Sequence, residues 1–82
     1  MRQTTDYKYR VITKYGTSVS NLFDNAHMVY DTYTKDNNLT YDEFQNEYAV
    51  VRIEHNRQYN DEGIFLQENI KIRVIPPKEY VK

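Results

Sequence analysis

The stretch from Ile64 to Ile75 reads IFLQENIKIRVI and has the most regular pattern in the chain. Its even-numbered residues are apolar except for Glu68, and most of its odd-numbered residues are polar or charged. Side chains alternate between the two faces of a β-strand, so this period of two predicts a long, half-buried strand with its even-numbered face inward. Pro76 and Pro77 end the strand, because proline has no N–H to donate to a neighbouring strand.

The residues before this stretch predict its pairing partner. Residues 48–55 contain an alternating apolar run that is typical of a strand, and residues 58–63 form a turn-rich segment that ends in Gly63. Two strands joined by such a segment form an antiparallel β-hairpin.

The amino-terminal region predicts a second pair of strands. Residues 6–14 alternate again, and Gly16 can adopt the positive φ of a turn. Residues 18–23 are then expected to return as a short strand, and a helix that begins at Ser18 is the alternative. We favour the strand, since Asp24 is a good N-cap for a helix that follows it.

Two helices are predicted in the middle of the chain. An apolar stripe at helical spacing predicts a helix over about residues 25–35. Thr40 and Glu43 have the spacing of a capping box, flanked by Leu39 and Phe44 as a hydrophobic staple, which predicts a short helix over about residues 41–46.

These elements predict a single α+β domain. The order along the chain is β-β-α-α-β-β, which favours a four-stranded antiparallel sheet with both helices on one face. The domain is expected to span residues 1–77, and residues 78–82 are expected to form a carboxy-terminal tail. A chain of 82 residues has room for one small core.

The composition argues against several classes of protein. There is no cysteine for a disulfide scaffold, no apolar run long enough to cross a bilayer and no signal peptide, so we expect a cytoplasmic protein. His27 and His55 have no nearby metal-ligating partner, and residues 36–47 resemble an EF-hand spacing but carry Tyr41 where the turn needs glycine. We predict no catalytic residues, no cofactor and no metal, and therefore not an enzyme.

The charged residues fall into two groups. Residues 24–47 hold six carboxylates and one lysine, and this acidic helical layer is the candidate protein-binding surface. Its members are Asp31, Asp36, Tyr41, Asp42, Glu43 and Glu47. A cationic stripe on the open face of the sheet is the alternative, a candidate nucleic-acid-binding surface with an aromatic side chain to stack a base. Its members are Lys8, Arg10, Arg52, Phe65, Lys71 and Arg73. The alternative for both groups is that they are ordinary solvated surfaces without a binding function.

The segment 21–30, NLFDNAHMVY, leads from a strand end through an Asp cap into a helix with an Ala…Tyr stripe. In this segment, and in its length and its richness in Tyr and Asn, the chain resembles small accessory proteins of phages that infect low-GC Gram-positive bacteria. Anti-CRISPR proteins and other host-takeover inhibitors belong to that population. The resemblance implies a non-enzymatic viral protein that binds and inhibits a host protein, such as a CRISPR effector or another nucleic-acid enzyme.

Three functional hypotheses follow. The first is inhibition of a host protein through the acidic helical layer. The second is nucleic-acid binding through the cationic stripe. The third is a phage structural protein that assembles as a homo-oligomer through an exposed edge strand. None of the three requires a membrane.

Overall fold

The computed structural model describes residues 2–82 and has the α+β class that the sequence predicts. The described residues contain three strands, two α-helices and one short 3-10 helix. In chain order these are β1 (Arg2–Thr13), α1 (Ala26–Asp36), α2 (Tyr41–Glu47), β2 (Tyr48–Tyr59), β3 (Phe65–Val74) and the 3-10 helix Pro77–Glu79.

The strands form one antiparallel sheet in the order β1-β2-β3. The β2–β3 hairpin confirms the pairing expected from the sequence, with Val51 opposite Val74 and Ile53 opposite Ile72. A bulge at Leu66 lets Gln58 pair with Gln67 and Tyr59 with Phe65. The central strand is β2, so β3 and β1 are the edges of the sheet.

The prediction of four strands in the order β-β-α-α-β-β is wrong. Residues 18–23 form neither a strand nor a helix; they run beside β1 and make two isolated bridges, Tyr9 with Phe23 and Ile12 with Ser18. The turn before them is confirmed, since Gly16 has a φ of 89° and donates its N–H to the carbonyl of Thr13. Residues 18–23 read SVSNLF, in which apolar and polar residues do not alternate over the length that a regular strand needs.

Both helices lie where the sequence predicts them, with one change of cap. The side chain of Asn25 accepts from the amide of Met28 at 3.1 Å, so Asn25 and not Asp24 is the N-cap of α1. Asp24 forms an ion pair with Lys8 instead. The capping box of α2 is confirmed in both directions, between Thr40 and Glu43.

The core is an aromatic cluster between the helices and one face of the sheet. Phe44 lies at its centre, fully buried, with its ring centroid 4.9 Å from that of Tyr30, 5.7 Å from Tyr48 and 5.9 Å from Tyr80. The sheet contributes Val11, Val50 and Ile75, and α1 contributes Val29.

The carboxy-terminal residues belong to this core, in contrast to the tail expected for residues 78–82. Tyr80 is 2% exposed, and its hydroxyl accepts a hydrogen bond from Nε2 of Gln45 at 2.8 Å. Nδ1 of His27 lies 2.9 Å from the carbonyl oxygen of Tyr80, and His27 is half-buried. Burial raises the pKa of the Tyr80 hydroxyl above its ordinary value.

The helices cover only one end of the sheet. We call residues 9–13, 48–52 and 73–75 the packed half, and residues 2–8, 53–59 and 65–72 the projecting half. A helix rises about 1.5 Å per residue, so the 11 residues of α1 cannot cover a 12-residue strand that spans roughly 40 Å. The molecule is accordingly elongated, at 50 × 24 × 20 Å, and its radius of gyration of 15.3 Å exceeds the roughly 12 Å of a compact domain of this length.

Candidate protein-binding surface

The face of the sheet away from the helices, which we call the outer face, carries no helix in the described part of the chain; its residue Val51 on β2 is 3% exposed, whereas its residues on β3 are exposed. Val11, Val50 and Ile75 point into the core, so the alternation of the strands places their neighbours on the outer face. These neighbours are the even-numbered residues of β1, the odd-numbered residues of β2 and, from Glu68 onward, the even-numbered residues of β3.

An apolar zone lies on the β3 side of the outer face. Ile70, Ile72 and Val74 are 56%, 66% and 57% exposed, and their register partners on β2 include Ile53 and Val51. The sequence predicted that the even-numbered face of β3 is buried, and this prediction is wrong: every residue of β3 is exposed. The inward face of β3 is the odd-numbered one, and it leads to the buried side chain of Ile75.

A charged network crosses the outer face next to the apolar zone. The guanidinium of Arg57 donates to Asp6 at 2.8 Å and lies 2.9 Å from Nδ1 of His55, and Nε2 of His55 lies 2.6 Å from Glu68. These four side chains join β1, β2 and β3. They explain why Glu68 interrupts the apolar row of β3, because its carboxylate is the last member of this network.

An aromatic pair occupies the tip of the outer face. The rings of Tyr59 and Phe65 meet edge to face, with centroids 6.0 Å apart. Because of the bulge at Leu66, Phe65 is the register partner of Tyr59 and shares its face. The sequence placed Phe65 with Lys71 and Arg73, and the bulge separates it from them.

The residues of the predicted cationic stripe do not form one surface. Lys8 and Arg10 lie on the outer face, whereas Arg52, Lys71 and Arg73 lie on the helix side of the sheet. The helix side of β2 also carries Tyr48 and Val50, and Val50 is fully buried.

Most of these cations also have local partners. Lys8 pairs with Asp24, Arg10 donates to Oγ of Ser18 at 3.0 Å, and Arg73 lies 3.8 Å from Glu79. A hydrogen bond from Asn56, followed by the attraction of Lys71 and Arg52, holds the pKa of Glu54 below its ordinary value. Their positive charge is therefore partly neutralised within the molecule.

The acidic helical layer is also engaged locally. Asp31 pairs with Lys35 at 2.9 Å, and Glu47 with Lys14 at 3.4 Å. Glu43 is held in the capping box, where its hydrogen bonds with Thr40 lower its pKa. Asp36, Tyr41 and Asp42 are exposed.

A groove with a volume of about 460 Å³ lies between residues 18–23 and α1. Both serines in its wall have structural partners. Ser20 accepts from the amide of Val11 at 2.8 Å and donates to the carbonyl of Asn21, and Ser18 accepts from Arg10.

The absence of catalytic function stays a prediction. Within residues 2–82, no cluster of three His, Asp or Glu side chains is arranged to hold a metal ion.

The exposure of the apolar zone is the feature that the sequence analysis missed. A partial signal for it was present: two short helices on one face of a sheet leave its other face without a covering layer. No α-helix in the described part of the chain is long and apolar enough to cross a membrane.

Comparison with known proteins adds no relative. No protein-family model, curated protein or solved structure matches the chain. The resemblance to phage inhibitors is therefore not tested by comparison and stays an expectation.

Proposed function

We propose that this chain is a non-enzymatic protein that acts by binding another protein, and that the apolar zone of the outer face makes the contact. The observation that carries this proposal is the exposure of Ile70, Ile72 and Val74, each more than half exposed and adjacent in the sheet. Contiguous apolar surface bordered by polar groups is typical of protein–protein interfaces. Removing apolar surface from water contributes about 25 cal/mol per Å², so a partner that covers this zone gains free energy.

The neighbouring zones supply the rest of an interface. The network of Asp6, Arg57, His55 and Glu68 gives a polar border that fixes orientation, and Tyr59 and Phe65 give an aromatic anchor at the tip. Aromatic residues and arginine are enriched among the residues that dominate binding energy.

This geometry favours the outer face over the acidic helical layer as the contact surface. Asp31, Glu43 and Glu47 are occupied by local partners, so a protein that binds them must compete with Lys35, the α2 cap and Lys14. It also disfavours nucleic-acid binding, because the cations are divided between the two faces of the sheet. The expectation that the bound protein is a nucleic-acid enzyme of a bacterial host stays part of the proposal.

The test is affinity capture from bacterial lysate with and without nuclease. The outer-face variant is Ile72→Lys with Val74→Lys, at positions exposed enough to accept charge without unfolding. The matched control carries Asp31→Lys, Asp42→Lys and Glu47→Lys on the helical layer. In the presence of nuclease, we expect the wild type and the control to capture the same protein. The outer-face variant is expected not to capture it. Loss with the helical variant alone would transfer the contact to the acidic layer, and capture that disappears with nuclease would support nucleic-acid binding.

A further inference from the structure

The outer edge of β3 carries no neighbouring strand in the described chain. All ten residues of β3 are exposed, from the bulge to Val74. The opposite edge of the sheet is different, because Tyr9 and Phe23 exchange two backbone hydrogen bonds of 2.8 Å and residues 18–23 cover that part of β1. The uncovered part of β1 is polar, with charged side chains that discourage strand pairing. The β3 edge is therefore the long apolar edge of the molecule.

One hydrogen bond fixes which residues of β3 point outward. Ile75 donates its N–H to the carbonyl of Val50 at 3.0 Å. In an antiparallel ladder the hydrogen-bonded residues alternate, so odd-numbered residues of β3 face β2 and even-numbered residues direct N–H and C=O to the outside. Ile70 and Ile72 thus combine an outward backbone with an exposed apolar side chain, which is a template for another strand.

We propose that this edge pairs with the same edge of a second copy of the chain. Two β3 strands run antiparallel about a two-fold axis that passes through Ile70, and the two sheets join into one of six strands. Such an interface is isologous, which is the commonest form of homodimer contact. The dimer goes beyond the proposed function and does not depend on it, since it uses the strand edge and leaves the outer face open.

The charges of β3 and its bulge together favour this register: centring on Asn69 would also avoid like-charge pairs, but it would place the bulge residue Leu66 opposite Ile72, inside the ladder. A two-fold axis perpendicular to the sheet keeps even-numbered residues opposite even-numbered ones. Centring the pairing on Glu68 or on Lys71 would place like charges directly opposite, which is destabilising. Centring on Ile70 places Ile70 opposite itself in the second copy and avoids every like-charge pair. The other pairs are Val74 with Leu66, Arg73 with Gln67, Ile72 with Glu68 and Lys71 with Asn69.

The pairing also accounts for both ends of the strand. The nine residues 66–74 of each copy overlap, so the bulge at Leu66 lies at the end of the ladder and not within it. Pro76 follows just beyond the other end and stops further pairing. Both apolar zones then lie on the same side of the joined sheet, which doubles the surface offered to a partner.

The decisive experiment is sedimentation equilibrium over a range of protein concentrations. The wild type is expected to reach twice the 9.9 kDa monomer mass. Ile70→Pro removes an outward N–H without breaking the ladder to β2, and the symmetry removes that bond twice per dimer. We expect it to raise the dimer Kd about tenfold to hundredfold. Ile70→Ala is the matched control, which keeps the N–H and is expected to raise the Kd by about fivefold or less.

Two further variants protect the test against misfolding and fix the register. If the circular dichroism spectrum shows that Ile70→Pro is unfolded, Ile70→Lys is used in its place. The Ile70→Lys variant weakens the dimer because it places two ammonium groups opposite each other at the axis. The chain has no cysteine. Ile70→Cys is therefore expected to form a disulfide-linked dimer on mild oxidation, since paired Cα atoms about 5.5 Å apart suit a disulfide. Tyr15→Cys, at an exposed turn, is the control and is not expected to form a disulfide-linked dimer.

The outcomes separate the dimer from the binding function. A wild type that remains at monomer mass at its highest soluble concentration, equal effects of proline and alanine, or assemblies larger than a dimer would overturn the proposal. A dimer that captures no protein would overturn the proposed function alone, and a monomer that captures one would overturn the dimer alone.

Discussion

The packed half and the projecting half of the sheet are made from the same three strands but hold their side chains in opposite environments. In the packed half, Val11 and Val50 are fully buried against α1 and α2. In the projecting half, Ile70 and Ile72 have the same chemical character but lie on the outer face and are more than half exposed, as is Val74 where that face continues into the packed half. An apolar pattern in a strand therefore identifies residues that gain from being buried. The position and length of the helices decide which of these residues are buried within the chain.

The largest expected effect is at the centre of the packed half. Phe44→Ala is expected to lower the free energy of unfolding by about 3–5 kcal/mol, because it removes a fully buried ring that contacts four tyrosines. Urea unfolding followed by circular dichroism measures this loss. A loss below about 1 kcal/mol would show that the aromatic cluster does not hold the two layers together.

The next effect concerns the helix that carries Phe44. Thr40→Ala removes the side chain that accepts from the amide of Glu43, and the expected loss is about 1 kcal/mol. Thr32→Ala, on the exposed side of α1, is the matched control and is expected to leave stability unchanged within about 0.5 kcal/mol. Equal losses in the two variants would argue against the capping box as the cause.

The projecting half provides the contrasting substitution. Ile72→Ala is expected to cost less than about 1 kcal/mol in the monomer, because its side chain is 66% exposed and little contact is lost. The measurement is made at low protein concentration, where the proposed dimer dissociates. A cost of about 3 kcal/mol or more would mean that the outer face is covered within a single chain.

The smallest effect appears only at alkaline pH. Burial, together with a hydrogen bond and the charge of Tyr48, raises the pKa of Tyr33 from 10.0 to about 12. A pKa that is higher in the folded state gives stability that is complete below 10.0 and is lost as the pH rises toward 12.

The melting temperature should therefore fall between about pH 10 and pH 12, and Tyr33→Phe should make this fall shallower. Tyr15→Phe is the control, because Tyr15 is 84% exposed and makes no contribution to the core. Identical slopes for the wild type and Tyr33→Phe would show that the environment of Tyr33 is the same in the folded and unfolded states.

Local patterns in the sequence predicted local structure well. The capping box at Thr40, the turn at Gly16 and the hairpin around Gly63 each depend on a few neighbouring residues, and each is confirmed. The α+β class follows from the same local elements. The count of strands failed at residues 18–23, where two backbone bridges to β1 replace a regular ladder.

The candidate surface was harder to predict because it depends on long-range placement. The face of β3 that is buried depends on the position of the helices, which alternation in the sequence does not report. The face of Phe65 depends on one bulge residue, Leu66, because a shift of one position moves a side chain to the other side of a sheet. Charge counts located acidic and basic segments but gave no information on pairs such as Lys14 with Glu47.

The burial of Tyr80 has a consequence for synthesis of the protein on the ribosome. The core joins Val11 of β1 to Tyr80, which follows every strand and helix that packs against it, so the two layers cannot close until Tyr80 has left the exit tunnel. Until then the apolar strands β2 and β3 are exposed together, as a surface that a chaperone can cover.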